Sequence, residues 1–256
     1  AADRATAWTR EAARQVLEPF FAGAGTQQLA AAPLFRRSAH VRAAKGMDEF
    51  ALAAWTARVL NIANTHIPAR RFDTRAFEPV HLRGLVQLSR LDEGPRLARE
   101  WLADRGIVVV VESHLPRTRL DGAALVTRDG APVVALTIRY DRLDNFWFTL
   151  CHELAHVALH FDGGGTEAFF DDLDQGGLDT FERDADSWAT EGLIPADSWR
   201  NTDLGRTPSE GKILSFARRH RIHPSIPAGR IRREKRNYKL FSKLVGNRLA
   251  RKHFLS

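Results

Sequence analysis

Apolar residues spaced by three and four run from Asp48 to Asn64, where Phe50, Leu52, Trp55, Val59 and Leu60 share one stripe and predict a helix. The same periodicity predicts helices over Thr6 to Phe21, Val80 to Ser89 and Pro95 to Asp104, the last stopped by Arg105-Gly106. Gly23 to Pro33 reads as a small-residue linker. The pattern then turns to β. Ile107-Val108-Val109-Val110-Val111 is a β-branched run suited to a buried strand. Gly122 to Thr127 and Pro132 to Arg139 flank Arg128-Asp129-Gly130-Ala131 and predict a hairpin. Helical spacing returns through Phe148 to His160, with Asp141 or Asp144 as N-terminal cap and Asp162 and Gly163-Gly164-Gly165 as the stop. Phe181 to Ala189, Ser209 to His220 and Ser225 to Lys235 predict three more helices. The order implies an α+β fold, mostly helical, with a small mixed or antiparallel sheet packed on the helix that begins near Phe148. Three regions are expected: a helical one over 1–90, a central domain over 91–205 and a basic helical one over 206–256.

Within the central helix stands His152-Glu153-Leu154-Ala155-His156. Residues four apart on a helix share a face, so both imidazoles can address one metal ion. Glu153 borders that face, where a carboxylate can take a proton from water, which is the chemistry of a zinc peptidase. Leu150, Leu154, Val157, Ala158 and Leu159 are expected to bury the helix, and packing alone gives no reason to bury two histidines and a glutamate.

An open zinc site takes three protein ligands. The segment Phe181-Glu182-Arg183-Asp184-Ala185-Asp186 puts Glu182 and Asp186 on one helical face. This spacing resembles the gluzincin arrangement, which makes Glu182 the third ligand and Asp186 the residue that orients a ligand histidine. His160 competes as a ligand, but it lies two helical turns from His152, roughly 12 Å along the axis. Cys151 points away from the histidine face and reads as a small core residue.

Composition and charge change the picture at one end only. The 256 residues are 44% apolar and include a single cysteine, which excludes a disulfide framework and suits a cytoplasmic enzyme. No secretory segment and no membrane span is expected. The net charge of +7 conceals an asymmetry, because residues 206–256 carry 15 Lys or Arg against Glu210 and Glu234. The two helices predicted there have helix-turn-helix proportions, so nucleic acid contact is one expectation. The favoured one is a helix pair packed on the body through Ile213, Leu214, Phe216, Ile226 and Ile231, with its arginines solvated.

The run Phe148-Thr149-Leu150-x-His152-Glu153-Leu154-Ala155-His156, then Glu182-x-x-Ala185-Asp186-x-Trp188-Ala189 and Leu193-Ile194-Pro195, resembles the ImmA/IrrE metallopeptidase family. Leu120-Asp121-Gly122-Ala123-Ala124-Leu125 and Ile222-His223-Pro224-Ser225-Ile226-x-Ala228-Gly229-Arg230 resemble larger HigA-like regulators that carry this domain. Those regulators have an upstream XRE-type DNA-binding domain, and none is found before residue 20. Ala155 stands where the family usually has Gly, and Trp188 where it has Phe. The resemblance implies zinc held by His152, His156 and Glu182, with Glu153 as base. It also implies cleavage of a partner helix-turn-helix repressor in a stress, phage or mobile-element response.

A substrate peptide is expected to pair with an edge strand near the active helix, with Pro132 to Tyr140 as candidate. Tyr140, His114 and His160 are candidate partners for the oxyanion. Two other readings stand beside the peptidase. One is a regulator or antitoxin-like binding module with a structural or sensory metal, which would not need Glu153 and would close the fourth position. The other is a hydrolase such as a deformylase, which would need an upstream cysteine ligand, whereas the one cysteine is Cys151.

Overall fold

The valine run 108–111 forms a strand at the border of a mixed sheet. The computed structural model describes residues 10–24, 39–41, 48–66, 68–74, 77–161, 168–171 and 180–254. The strands are β1 (Ala39–Val41), β2 (Val108–Val111), β3 (Gly122–Val126), β4 (Pro132–Leu136) and β5 (Ala168–Asp171). They lie in the order β1-β5-β3-β4-β2. β3 runs antiparallel to both β4 and β5, while β2–β4 and β1–β5 are parallel pairs. The longer helices are α1 (Arg10–Gly23), α2 (Glu49–Ala63), α4 (Gly94–Ala103), α5 (Leu143–His160), α6 (Thr180–Leu193), α8 (Glu210–His220) and α9 (Ser225–Glu234). Two single-turn helices are α3 (Arg83–Gln87) and α7 (Ala196–Arg200). The fold is thus α+β and mostly helical.

Period-two alternation sends successive side chains to opposite faces of the sheet, and here both faces are covered. Val108, Val110, Ala123, Leu125, Val133 and Ala135 join a cluster with Trp55 and Val59 of α2. Val109, Ala124, Val134 and Leu136 join the larger cluster around Trp147, Leu150 and Leu154 of α5. Each of those three α5 side chains is fully buried, which is worth about 1.5–3 kcal/mol apiece.

Several expectations need correction. Phe50 is 76% exposed, because α2 turns its other apolar residues to the sheet. Asp48 caps α2 by accepting from the Phe50 and Ala51 amides, which fixes that end without the Phe50 ring. Leu159 is exposed too, since α5 leaves the core in its last turn. The helix expected over Val80 to Ser89 is three short pieces, with 3-10 turns at Pro79–Leu82 and Leu88–Arg90 on either side of α3. β4 is an interior strand paired on both sides, so its backbone groups are taken and Pro132–Leu136, the strand within the expected edge, offers none to a substrate. The linker beyond residue 24 and the stop at 162–165 lie outside the described residues.

The start of α5 is held in an unforeseen way. Neither aspartate caps it; Arg142 occupies the cap position in an extended conformation and makes no side-chain cap bond. The Leu143 and Asp144 amides instead donate to the carbonyls of Gly246 and Val245, at 3.1 and 3.2 Å. These are among the donors that a helix start leaves without an internal partner. Asp141 serves the other direction, its Oδ1 accepting from the Ala250 and Arg251 amides at 3.1 and 2.8 Å. A C-terminal strap therefore closes on the helix start.

The basic C-terminal helices pack inward. Ile213 and Ile231 are fully buried, and Phe216 and Ile226 nearly so. α9 reaches α5 through Arg232, whose guanidinium donates to Asp144 Oδ2 at 3.1 Å with both side chains buried. Gly229 permits this approach, since a Cβ there would stand 2.8 Å from the Asp144 Cβ. Burial pushes the Asp144 carboxyl upward, while Arg142 and Arg232 oppose that shift. Among the described residues, no helix is long and apolar enough to cross a membrane.

Gly246 has φ +68°, and a Cβ there would come within 2.7–2.9 Å of the Leu143 side chain. Gly246→Ala is expected to lower stability by about 1–3 kcal/mol, read from the urea midpoint. An unchanged midpoint would mean that the strap does not hold the helix.

Candidate metal centre

α5 is long because nothing between Leu143 and His160 breaks it, and its middle turns face the sheet and α6. That burial carries His152, Glu153 and His156 to zero exposure. α6 packs alongside and contributes Glu182, which is 3% exposed. The two imidazole Nε2 atoms are 3.1 Å apart. Glu182 places Oε2 at 3.3 Å from the first and Oε1 at 3.5 Å from the second.

These separations test whether the residues fit a metal. Bonds of about 2.0–2.1 Å in a tetrahedron put neighbouring donor atoms roughly 3.3 Å apart. The three observed edges straddle that value. Among the described residues, His152, His156 and Glu182 form the one group of this kind, with ligand atoms within 4.8 Å of one another. Nitrogen and oxygen donors in a buried pocket suit a divalent transition ion. The site can therefore hold a metal.

His152 is oriented from behind, its Nδ1 lying 3.1 Å from Asp186 Oδ1. A carboxylate on that nitrogen fixes the tautomer that presents Nε2 as a ligand. Asp186 is positioned in turn by Arg233 of α9, whose Nη1 is 3.8 Å from the same oxygen. Arg233 also donates to Thr190 Oγ1 at 2.8 Å and stacks its guanidinium 3.6 Å from the Phe148 ring centroid. This support escaped sequence reading. Arg233 lies 47 positions beyond Asp186, and no local spacing links them.

Gly122 is the second residue without a foreseen role. It begins β3 directly against Glu153, where a Cβ would stand 2.9 Å from both Cγ and Cδ of that glutamate. Only a residue without a side chain leaves room for the carboxylate under the sheet. Burying such a carboxylate costs on the order of several kcal/mol, an expense that stability alone would not retain.

The other candidates fall outside the metal group. His160 sets its ring edge-on to Phe181, 4.8 Å between centroids. Tyr140 lies beneath the guanidinium groups of Arg139 and Arg142. His114 is half-buried, and burial followed by the nearby Arg139 and Arg251 charges holds its pKa below the usual range. Cys151 is fully buried, and burial pushes its thiol up to about 12.

Two outcomes are expected from this geometry. Elemental analysis should find one divalent transition ion per chain, largely lost in Glu182→Ala, while Asp186→Asn weakens binding about 10–100-fold in chelator competition. Retention of metal by Glu182→Ala would remove that residue from the site. Cys151 should resist iodoacetamide at pH 8 in the native protein and react once it is unfolded. Rapid native labelling would contradict its place in the core.

Comparison with known proteins adds one positive result. No curated protein matches the chain significantly. Residues 103–223 match the family model of the IrrE N-terminal-like domain, a peptidase family. That stretch includes β2, β3, β4, α5, α6 and α8, and thus all three possible metal ligands. The match and the buried cluster together support a metallopeptidase-type function. Over residues 103–223 the chain is thus similar to the IrrE N-terminal-like peptidase domain.

Proposed function

We propose that this protein is a zinc-dependent endopeptidase that cleaves a helix-turn-helix repressor. The observation that carries the catalytic half is the placement of Glu153, fully buried beside His152 and under Gly122. A structural or sensory metal centre has no use for that carboxylate, which speaks against the antitoxin-like alternative. The repressor as substrate rests on the family likeness.

His152, His156 and Glu182 would hold the zinc, and Asp186 would keep His152 in its ligand tautomer. Bound there, zinc polarises a peptide carbonyl and makes water acidic near neutral pH. Glu153 takes the proton of the attacking water and returns it to the leaving amide nitrogen. Burial of the site excludes bulk water, so that transfer proceeds between the two reacting groups.

The test mixes zinc-loaded protein with a candidate helix-turn-helix repressor and reads fragments by mass spectrometry. Glu153→Gln should keep its zinc and slow cleavage by about 10²–10⁴-fold, the usual worth of a general base. His156→Ala should lose both metal and cleavage. Turnover at the normal rate by Glu153→Gln would overturn the mechanism.

A further inference from the structure

Beside the metal centre lies a cavity of about 930 Å³. Phe148 and Asp186 form its wall toward His152, and α9 with the turn after it forms the opposite wall. Its charge is uneven. Arg142, Arg230, Arg233 and Arg236 line it against Asp144 and Asp186.

Both carboxylates are already engaged. Asp144 accepts from Arg142 and Arg232, and Asp186 faces His152 and Arg233. Arg230 is engaged as well, donating to Glu234 and to the Ile194 carbonyl. Arg142 bonds Asp144 through Nε alone, which leaves its terminal nitrogens to the cavity. Arg236 has no side-chain partner among the described residues. Arg142 and Arg236 therefore present guanidinium donors to the cavity without matching acceptors.

Arg236 also sits in an unusual backbone conformation. Its φ is +48°, in the left-handed region just after α9. Helices favour glycine there, and an L side chain in that conformation is strained. Among the described residues, six other non-glycine residues share this region, Arg221 after α8 among them, so the assignment rests on the charge of the cavity and not on the backbone. An arginine at this spot forfeits stability and gains a cation at the cavity wall.

We propose that this cavity is the substrate-specificity subsite, binding a Glu or Asp side chain of the peptide segment beside the scissile bond through Arg236, Arg142 and Arg233. The assignment rests on the peptidase reading, since only a peptide bound across the metal would place a side chain here. A carboxylate matches the planar fork of a guanidinium. Phe148, Leu193 and Ile226 supply the apolar floor for its methylenes.

The experiment titrates two capped pentapeptides, Ala-Ala-Glu-Ala-Ala and Ala-Ala-Gln-Ala-Ala, into Glu153→Gln protein. Binding is followed by NMR, with and without zinc. The glutamate peptide should bind about tenfold tighter than the glutamine peptide, the margin of a charge-assisted hydrogen bond over a neutral one. It should shift the Thr190 and Gly229 amides and the Arg233 and Arg236 side-chain signals. Adding Arg236→Gly should raise the melting temperature, by relieving the backbone, and erase the preference. A purely structural role would leave the preference intact. Equal binding of the two peptides, shifts confined elsewhere, or a preference that survives Arg236→Gly would each overturn the proposal. Displacement of the peptide by short duplex DNA would assign the arginines to nucleic acid and also overturn it. The two readings fail separately. Zinc uptake with Glu153-dependent cleavage but no preference sinks the subsite alone, whereas a preference without zinc uptake sinks the zinc peptidase.

Discussion

Polar atoms buried in an apolar core must find matching partners, and three demands of this kind fall within five residues of α5. His152, Glu153 and His156 have no exposure, yet the surrounding side chains are leucine, tryptophan and valine. A neighbouring helix must therefore bring a carboxylate to the two ring nitrogens, and α6 does so with Glu182. Another element must leave room for Glu153, and β3 does so by starting with Gly122. The sheet, α6 and the helix thus meet as they do because of what α5 buries.

The same requirement spreads outward. Asp186 orients His152, Arg233 holds Asp186, and Arg233 is braced by Thr190 and the Phe148 ring. Arg232, one residue earlier on α9, pairs with buried Asp144 in the first turn of α5. Adjacent arginines of one helix consequently reach α5 near its start and the α6 carboxylate behind its first histidine. The net positive charge of this region is partly spent on holding the body together, which explains why a charge run reads ambiguously in sequence.

Sequence made the local part of this arrangement legible. Helix-period histidines, a Glu-to-Asp spacing of four and the valine run each encode their element within a dozen residues. What stayed hidden depends on contacts between distant positions. Pro132 to Tyr140 was the edge-strand candidate because it runs just before the active helix, but strand order is a tertiary property and both sides of β4 are paired. Asp141 and Asp144 looked like caps because aspartate before a helix usually is one. Here the chain returns about a hundred residues later to satisfy the same amides with backbone carbonyls. Gly122 and Arg233 carry no motif, since a close approach and a long-range pair leave no spacing to read.

The strap also sets an order of assembly. The amides that open α5 are made long before the carbonyls of Val245 and Gly246 that receive them. With synthesis at about 5–20 residues per second, α5 waits roughly 5–20 s for its own beginning to be fastened. During that interval the ligand-bearing turns exist on the ribosome without their anchor. A chain interrupted before the strap therefore carries the motif but not the clamp.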